Sequence, residues 1–187
     1  MAERTGHLRP TDAELIQAAR GGDQAAFHAL VDRHAHALYG LAASLSDNAA
    51  DAEDIVQETF AGAFWGLGGF RGQASVKTWL TRILVRQAAR HRRYAGRRQA
   101  TFRGLEAAVD ADLGVPSADG ATDARIDVKA AMRLLSPDHR DVIALREFQG
   151  LSYDEIAEVL EIPRGTVESR LFRARRELQG QLKEYLG

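Results

Sequence analysis

Apolar residues recur along this chain at steps of three and four, the spacing of one face of an α-helix, and that pattern leaves little room for β architecture. Phe27, Leu30, Val31, Leu38, Leu41 and Leu45 form one stripe, with His34 on the same face. Ala52, Ile55, Val56, Phe60, Ala63, Phe64 and Leu67 form a second. Local chemistry marks where the helices start and stop. Thr11 and Glu14 have capping-box spacing ahead of Leu15, Ile16, Ala18 and Ala19, and Gly21-Gly22 closes that short helix before another starts near Asp23. Ser46-Asp47-Asn48 breaks the second helix from the third, and Gly66-Leu67-Gly68-Gly69 ends the third. A fourth helix runs from about Ser75 through Trp79, Ile83 and Leu84 to about Tyr94. Periodicity resumes at Val128, Met132 and Leu135, and again at Val142, Ile143, Leu145 and Phe148. No hairpin signal or internal repeat interrupts it. The expected fold is all-α.

Charge divides the same chain into parts. The net charge is −1, yet residues 1–70 hold 4 basic and 10 acidic side chains, residues 71–103 hold 10 basic and none acidic, and residues 104–187 hold 11 basic and 16 acidic. Gly104 to Asp127 sets Glu106, Asp110, Asp112, Asp119, Asp123 and Asp127 against the single Arg125, with Gly114, Pro116, Ser117 and Gly120 between them. Few apolar residues relieve that stretch, so it reads as an acidic tether. The organisation expected is a helical domain over residues 11–96, an acidic linker over 97–127 and a second helical domain over 128–185.

The second domain carries a two-helix motif. Ser152 and Glu155 are spaced to cap a short helix through Leu160, and Pro163 stops it because proline lacks an N–H and drives Ile162 towards extended geometry. The next helix turns Val167, Leu171, Ala174, Leu178 and Leu182 inward. At about 100° per residue, Gly165, Ser169 and Arg176 then fall opposite that stripe, with Arg173 and Thr166 beside them. Arg170, Arg173, Arg175 and Arg176 alone could be a solvated face. A capped helix, a proline turn and a second amphipathic helix with a basic, hydroxylated outer face together describe a helix-turn-helix suited to the major groove.

Residues 51–93 read DAEDIVQETFAGAFWGLGGFRGQASVKTWLTRILVRQAARHRR. This run, and above all the segment Asp51–Phe64 joined to FRGxxSxxTWL at Phe70–Leu80, resembles the second conserved region of the extracytoplasmic-function group of bacterial sigma-70 factors. A second match runs from about Leu134 to Leu178. The resemblance implies a factor that carries core RNA polymerase to specific promoters and starts transcription. It implies that the ridge Asp51, Asp54, Gln57 and Glu58 binds the clamp helices of the polymerase's largest subunit, and that the chain as a whole also meets the polymerase flap. Asp51 also suits the cap of its own helix and Asp54 the positive end of the helix dipole, and these roles can hold beside docking. It implies that the loop Gly66–Ser75 captures a base flipped from the minus-ten element, an extrusion that costs a few kcal/mol. Phe70, Arg71 and Gln73 are the loop candidates. Trp79 is either a core residue or a stacking platform. Lys77, Arg82, Arg86 and Arg90 are spaced to follow phosphates on the basic helix. Arg164, Thr166, Ser169, Arg170, Arg173 and Arg176 are the candidates for reading the minus-thirty-five element. Control by an anti-sigma factor is a further implication.

Two positions depart from the pattern. Glu168 stands where similar sequences often carry Lys; it can accept from cytosine, repel phosphate or pair with Arg164. Val76 replaces a frequent aromatic. The rival reading, a stand-alone helix-turn-helix regulator, calls for a sensor or dimerisation domain that residues 12–96 do not resemble. Catalysis finds no footing: His34-x-His36 and His28 do not share a helix face, no metal or nucleophile motif occurs, and no cysteine is present. Neither a cofactor nor a metal is expected. No stretch approaches a membrane span and the N-terminus has no apolar leader core, so the expected setting is soluble and cytoplasmic.

Overall fold

The computed structural model describes residues 9–106 and 128–186. Eight α-helices account for most of them: α1 Asp12–Arg20, α2 Gln24–Leu45, α3 Ala49–Gly66, α4 Val76–Glu106, α5 Val128–Leu134, α6 Pro137–Glu147, α7 Tyr153–Leu160 and α8 Arg164–Leu186. One turn of 3-10 helix, Leu67–Gly69, follows α3.

Most helix starts are the ones the sequence marks. Thr11 accepts the Glu14 N–H while Glu14 takes back the Thr11 N–H at 2.7 Å, and the same reciprocal box joins Ser152 and Glu155 at the head of α7. Ser75 accepts the Thr78 N–H at 3.0 Å and so opens α4. On α3 the cap is Asn48, whose carboxamide accepts the Asp51 N–H at 2.8 Å; Asp51 is a first-turn acid and not the cap. Helix α4 departs further from expectation. It continues past Tyr94 to Glu106 because the alanines, arginines and glutamine after the apolar stripe are themselves good helix formers. The first ten residues assigned to the acidic linker therefore belong to α4, and 107–127 lie outside the described residues.

Helices α1–α4 pack around Leu41, Leu45, Ile55 and Leu84, each essentially without solvent exposure. Val76, at the departure from the aromatic pattern, is buried with them. Helices α6–α8 close on Val142, Leu145, Ile156, Val167 and Leu171. In the turn between α7 and α8, Glu161 is left-handed at φ 56°, Ile162 N–H donates to Ala157 O at 3.1 Å, and Pro163 starts the next helix. That conformation costs a side-chain-bearing residue about 1 kcal/mol.

The two units are packed against each other, α4 on α7 and α2 on α6. At this seam Arg92 of α4 grips both carboxylate oxygens of Asp141 on α6, at 3.0 and 2.9 Å. Gln149, buried, donates its side-chain amide to Ala37 O at 2.9 Å. Arg133 donates to Asp47 O, and Arg140 faces the Asp47 carboxylate at 3.6 Å. Burial pushes the Asp141 carboxyl above its ordinary pKa, with Arg92 pulling it back down.

Arg92→Ala leaves Asp141 charged, dry and unmatched, and separating the units is the cheapest relief. Small-angle scattering should then report a larger radius of gyration at neutral pH with unchanged far-ultraviolet helicity. Because the folded pKa of Asp141 is raised, lowering the pH through it neutralises the group and should restore the compact form. The pair Arg92→Met with Asp141→Leu should stay compact throughout. At α7, Ser152→Ala should cost about 1 kcal/mol in urea unfolding. The Ser152 N–H and hydroxyl hold Glu155 below its ordinary pKa of 4.5, so that stabilisation is complete above 4.5 and lost as pH falls through the lowered value. Removing the hydroxyl should move the Glu155 titration, followed by NMR, upwards.

Candidate nucleic-acid interface

The acidic ridge of α3 divides in two. Asp54 and Gln57 face outward, with Glu53 beside them. Asp51 accepts the Asn48 side-chain amide at 2.8 Å beside the cap of its own helix, and Glu58 turns towards α4, accepting from Arg90 at 2.9 Å and lying 3.3 Å from His91. The same outward face carries a residue the sequence reading passed over. Trp65, two turns beyond Glu58, is 83% exposed, and its ring meets Phe64 edge-on at 5.6 Å. Phe64 in turn meets Phe27 at 5.2 Å.

Behind α3 the chain makes a small basin. Gly69, Phe70, Arg71, Gln73, Ala74, Trp79 and Arg82 line an open cavity of about 210 Å³, and Glu158 closes it from the second unit. Phe70 and Trp79 stand ring to ring at 4.8 Å, tilted by 42°. Trp79 is half-buried, so it both packs against the core and presents an edge to the basin. All three loop candidates, Phe70, Arg71 and Gln73, meet here. Positive φ is needed at Gly72, 70°, where the loop doubles back before α4.

The basic face of α4 is engaged rather than bare. Lys77 donates to the Gln149 carbonyl, Thr78 hydroxyl donates to Glu155 at 3.3 Å, Arg82 pairs with Glu158 and Arg86 with Glu161. Glu155, Glu158 and Glu161 sit at three-residue steps along α7 and its turn, so a row of carboxylates lies along a row of cations. The Glu158 and Glu161 carboxylates stay open to water on their outer side, and exposed pairs of this kind are each worth about 0.2–1 kcal/mol. Arg90, the last candidate on this face, is held within its own unit by Glu58.

On α8 the outward face is Gly165, Glu168, Ser169, Phe172, Arg173 and Arg176, all exposed. Arg173 forms no ion pair among the described residues. Ser169 donates its hydroxyl to Thr166 O at 3.0 Å, and Thr166 is partly covered. Arg164 is clamped between Asp154 at 3.0 Å and Glu168 at 3.1 Å, which raises its pKa and resolves the pairing open at Glu168. Arg170 leans away from this face to Asp138 of α6 at 2.6 Å. Phe172, 63% exposed with the Arg176 guanidinium 5.8 Å above its ring, was hidden in the sequence by its place next to the core stripe.

The histidines do not converge. His34 pairs with Asp12 at 2.9 Å, His28 and His36 are exposed, and no group of three His or carboxylates among the described residues could hold a metal ion. No described helix is long and apolar enough to cross a membrane.

Comparison with known proteins places both units. The family model described as sigma-70 region 2 matches residues 30–98, and the model for sigma-70, region 4 matches residues 125–178. The RNA polymerase sigma-H factor of Pseudomonas aeruginosa is 35% identical over 188 residues, covering 94% of this chain and 95% of the relative. The ECF RNA polymerase sigma-E factor of Escherichia coli K12 is 35% identical over 182 residues, 92% of this chain and 95% of the relative. Among solved structures, CnrH in complex with the cytosolic domain of CnrY superposes with a TM-score of 0.70 at 31% identity, covering 92% of this chain and 97% of that one. The sigma factor RpoE in complex with the anti-sigma factor NepR from Bartonella quintana superposes with a TM-score of 0.69 at 31% identity, covering 84% and 96%.

Proposed function

This chain belongs to the extracytoplasmic-function group of the sigma-70 family, and on that premise we propose how its own residues divide the work of bringing RNA polymerase to a promoter and starting transcription there. The observation that carries the reading is the arrangement of three separate chemistries on one helical frame: an acidic outer face on α3, an aromatic-walled basin beside a cationic helix, and an arginine-bearing face on α8.

Asp54 and Gln57 dock on the largest subunit's clamp helices, with Asp51 and Glu58 at the edge of that contact; an exposed carboxylate row suits a partner surface rich in arginine. The basin receives a base extruded from the minus-ten element, with Phe70 and Trp79 as its aromatic walls and Arg71 and Gln73 as polar contacts. Lys77, Arg82, Arg86 and Arg90 follow the phosphates of the opened strand. Ser169, Arg173 and Arg176 read the minus-thirty-five element in the major groove, where Phe172 suits a thymine methyl group and arginine suits guanine. Arg164 and Arg170 contribute at the margin, since their guanidinium groups are already engaged within the protein, and Thr166 does so because it is partly covered. No step in this account is catalytic in this chain.

The packed arrangement of the two units belongs to the form not bound to DNA. Phosphates compete with Glu158 and Glu161 for Arg82 and Arg86, and with the Gln149 carbonyl for Lys77, so engagement of the minus-ten strand displaces these contacts. The solved relatives bound to CnrY and to the anti-sigma factor NepR support regulation by a protein of that class here as well.

Two expected outcomes follow from this division. Arg173→Ala should cost about 1–3 kcal/mol in minus-thirty-five discrimination, seen as loss of specific run-off transcript, with core polymerase binding unchanged. If core binding is lost instead, the assignment of the units is wrong. Glu158→Gln with Glu161→Gln removes two exposed pairs, about 0.4–2 kcal/mol together, and should raise the free protein's affinity for single-stranded minus-ten DNA about 2–30-fold in low-salt fluorescence anisotropy. The gain should shrink as salt rises.

A further inference from the structure

The basin beside α3 is built on a segment poorly suited to hold a shape. Gly66, Gly68, Gly69 and Gly72 fall within seven residues, and glycine loses more backbone freedom on ordering than any other residue. Yet the loop is placed closely enough for Phe70 to stack on Trp79. What fixes its backbone comes from α1. Arg20, the last residue of that helix, donates Nε to Leu67 O at 2.9 Å and Nη2 to Phe70 O. The two carbonyls bracket the 3-10 turn, which spends one internal bond on itself, Phe70 N–H to Leu67 O at 3.3 Å. A planar guanidinium can span two such acceptors at fixed angles, whereas an ammonium cannot.

We propose that Arg20 is a positioning residue for the flipped-base basin: its fork holds Leu67–Phe70 in the shape that receives an extruded nucleobase before DNA arrives. The inference rests on the reading of that basin as the minus-ten base site. It adds α1 to the promoter-opening apparatus, although the region 2 match begins only at residue 30. Arg20 touches no base. It acts through Phe70, whose carbonyl it grips and whose ring forms one wall, and through Arg71 and Gln73, which hang from the same loop. Its effect is to remove the ordering cost of the loop from the binding step.

The test uses holoenzyme assembled from core polymerase and the full-length chain. Non-template minus-ten oligonucleotides, intact or with a single abasic position moved along the strand, are titrated by fluorescence anisotropy. For the unaltered protein one abasic position should weaken binding clearly; if none does, and Gln73→Ala is also silent, the basin reading itself fails. At that position Arg20→Ala should bind the intact strand about tenfold more weakly, bind the abasic strand as the unaltered protein does, and bind core polymerase normally. Arg20→Gln, which can reach only one of the two carbonyls, should fall between and covers the case in which the alanine variant folds poorly. Gly68→Ala provides the decisive readout. Gly68 has ordinary φ and open space, with nothing within 4 Å, where an alanine methyl group would sit, so alanine fits and stiffens the loop. In the Arg20→Ala background it should recover about two- to fivefold of the lost affinity. Undiminished base discrimination in both Arg20 variants, with the abasic position still felt, would overturn the proposal while leaving the basin reading intact. An equal loss on intact and abasic strands would overturn it too, because Arg20 would then be supporting the fold alone.

Discussion

Arg92 of α4 and Asp141 of α6 meet across the seam where α4 packs on α7 and α2 on α6, and the mutual placement of the two helical units depends on their two-pronged contact. Each is a charge withdrawn from water, and each is tolerable there only because the other answers it with matched geometry. Such a contact has little latitude: a small slide of one unit over the other would break both hydrogen bonds together. Around it the looser contacts of Gln149, Lys77, Arg82 and Arg86 fall into register. The seam is therefore specified at one point and tuned electrostatically along the rest.

The same economy appears inside each unit. Helix starts are fixed by side chains three residues apart, cores by stripes three and four apart, and the irregular connections by one or two long polar side chains reaching across. Arg20, at the C-terminal end of α1, reaches the carbonyls of the 3-10 turn, and Arg164, at the start of α8, is clamped by the carboxylates of Asp154 and Glu168. Arginine in this chain is as much an internal brace as a probe for nucleic acid. That dual use explains why the basic run of α4 cannot be read as DNA contact residue by residue.

How much of this was legible beforehand follows from which interactions are local. Thr11 with Glu14, Ser152 with Glu155, Ser75 at the start of α4 and the apolar stripes are all short-range, and they appeared in the structure as their spacing suggests, except that Phe64 and Phe148, placed on the stripes, are exposed. The pairing of Arg164 with Glu168 is also local and was among the options its i,i+4 spacing allows. Contacts between residues about 75 apart, such as Arg82 with Glu158 and Arg86 with Glu161, leave no trace in a linear pattern. Read alone, Glu158 and Glu161 look like a solvated helix face. The extension of α4 to Glu106 was missed for a different reason: periodicity stops when packing stops, while helix propensity does not. Phe172 and Trp65 escaped because an exposed aromatic next to a core stripe is indistinguishable from a core residue until its surroundings are known.

The turn at Glu161 gives the C-terminal motif an asymmetry of its own. A residue with a side chain occupies a conformation that glycine would adopt without penalty, and that side chain spans the seam to Arg86. The ordinary turn-former would make the motif slightly easier to fold and would erase one of the contacts that keeps it parked. The strained glutamate thus couples the internal geometry of the reading head to its stowage, so that drift at this one codon trades folding ease against vigilance.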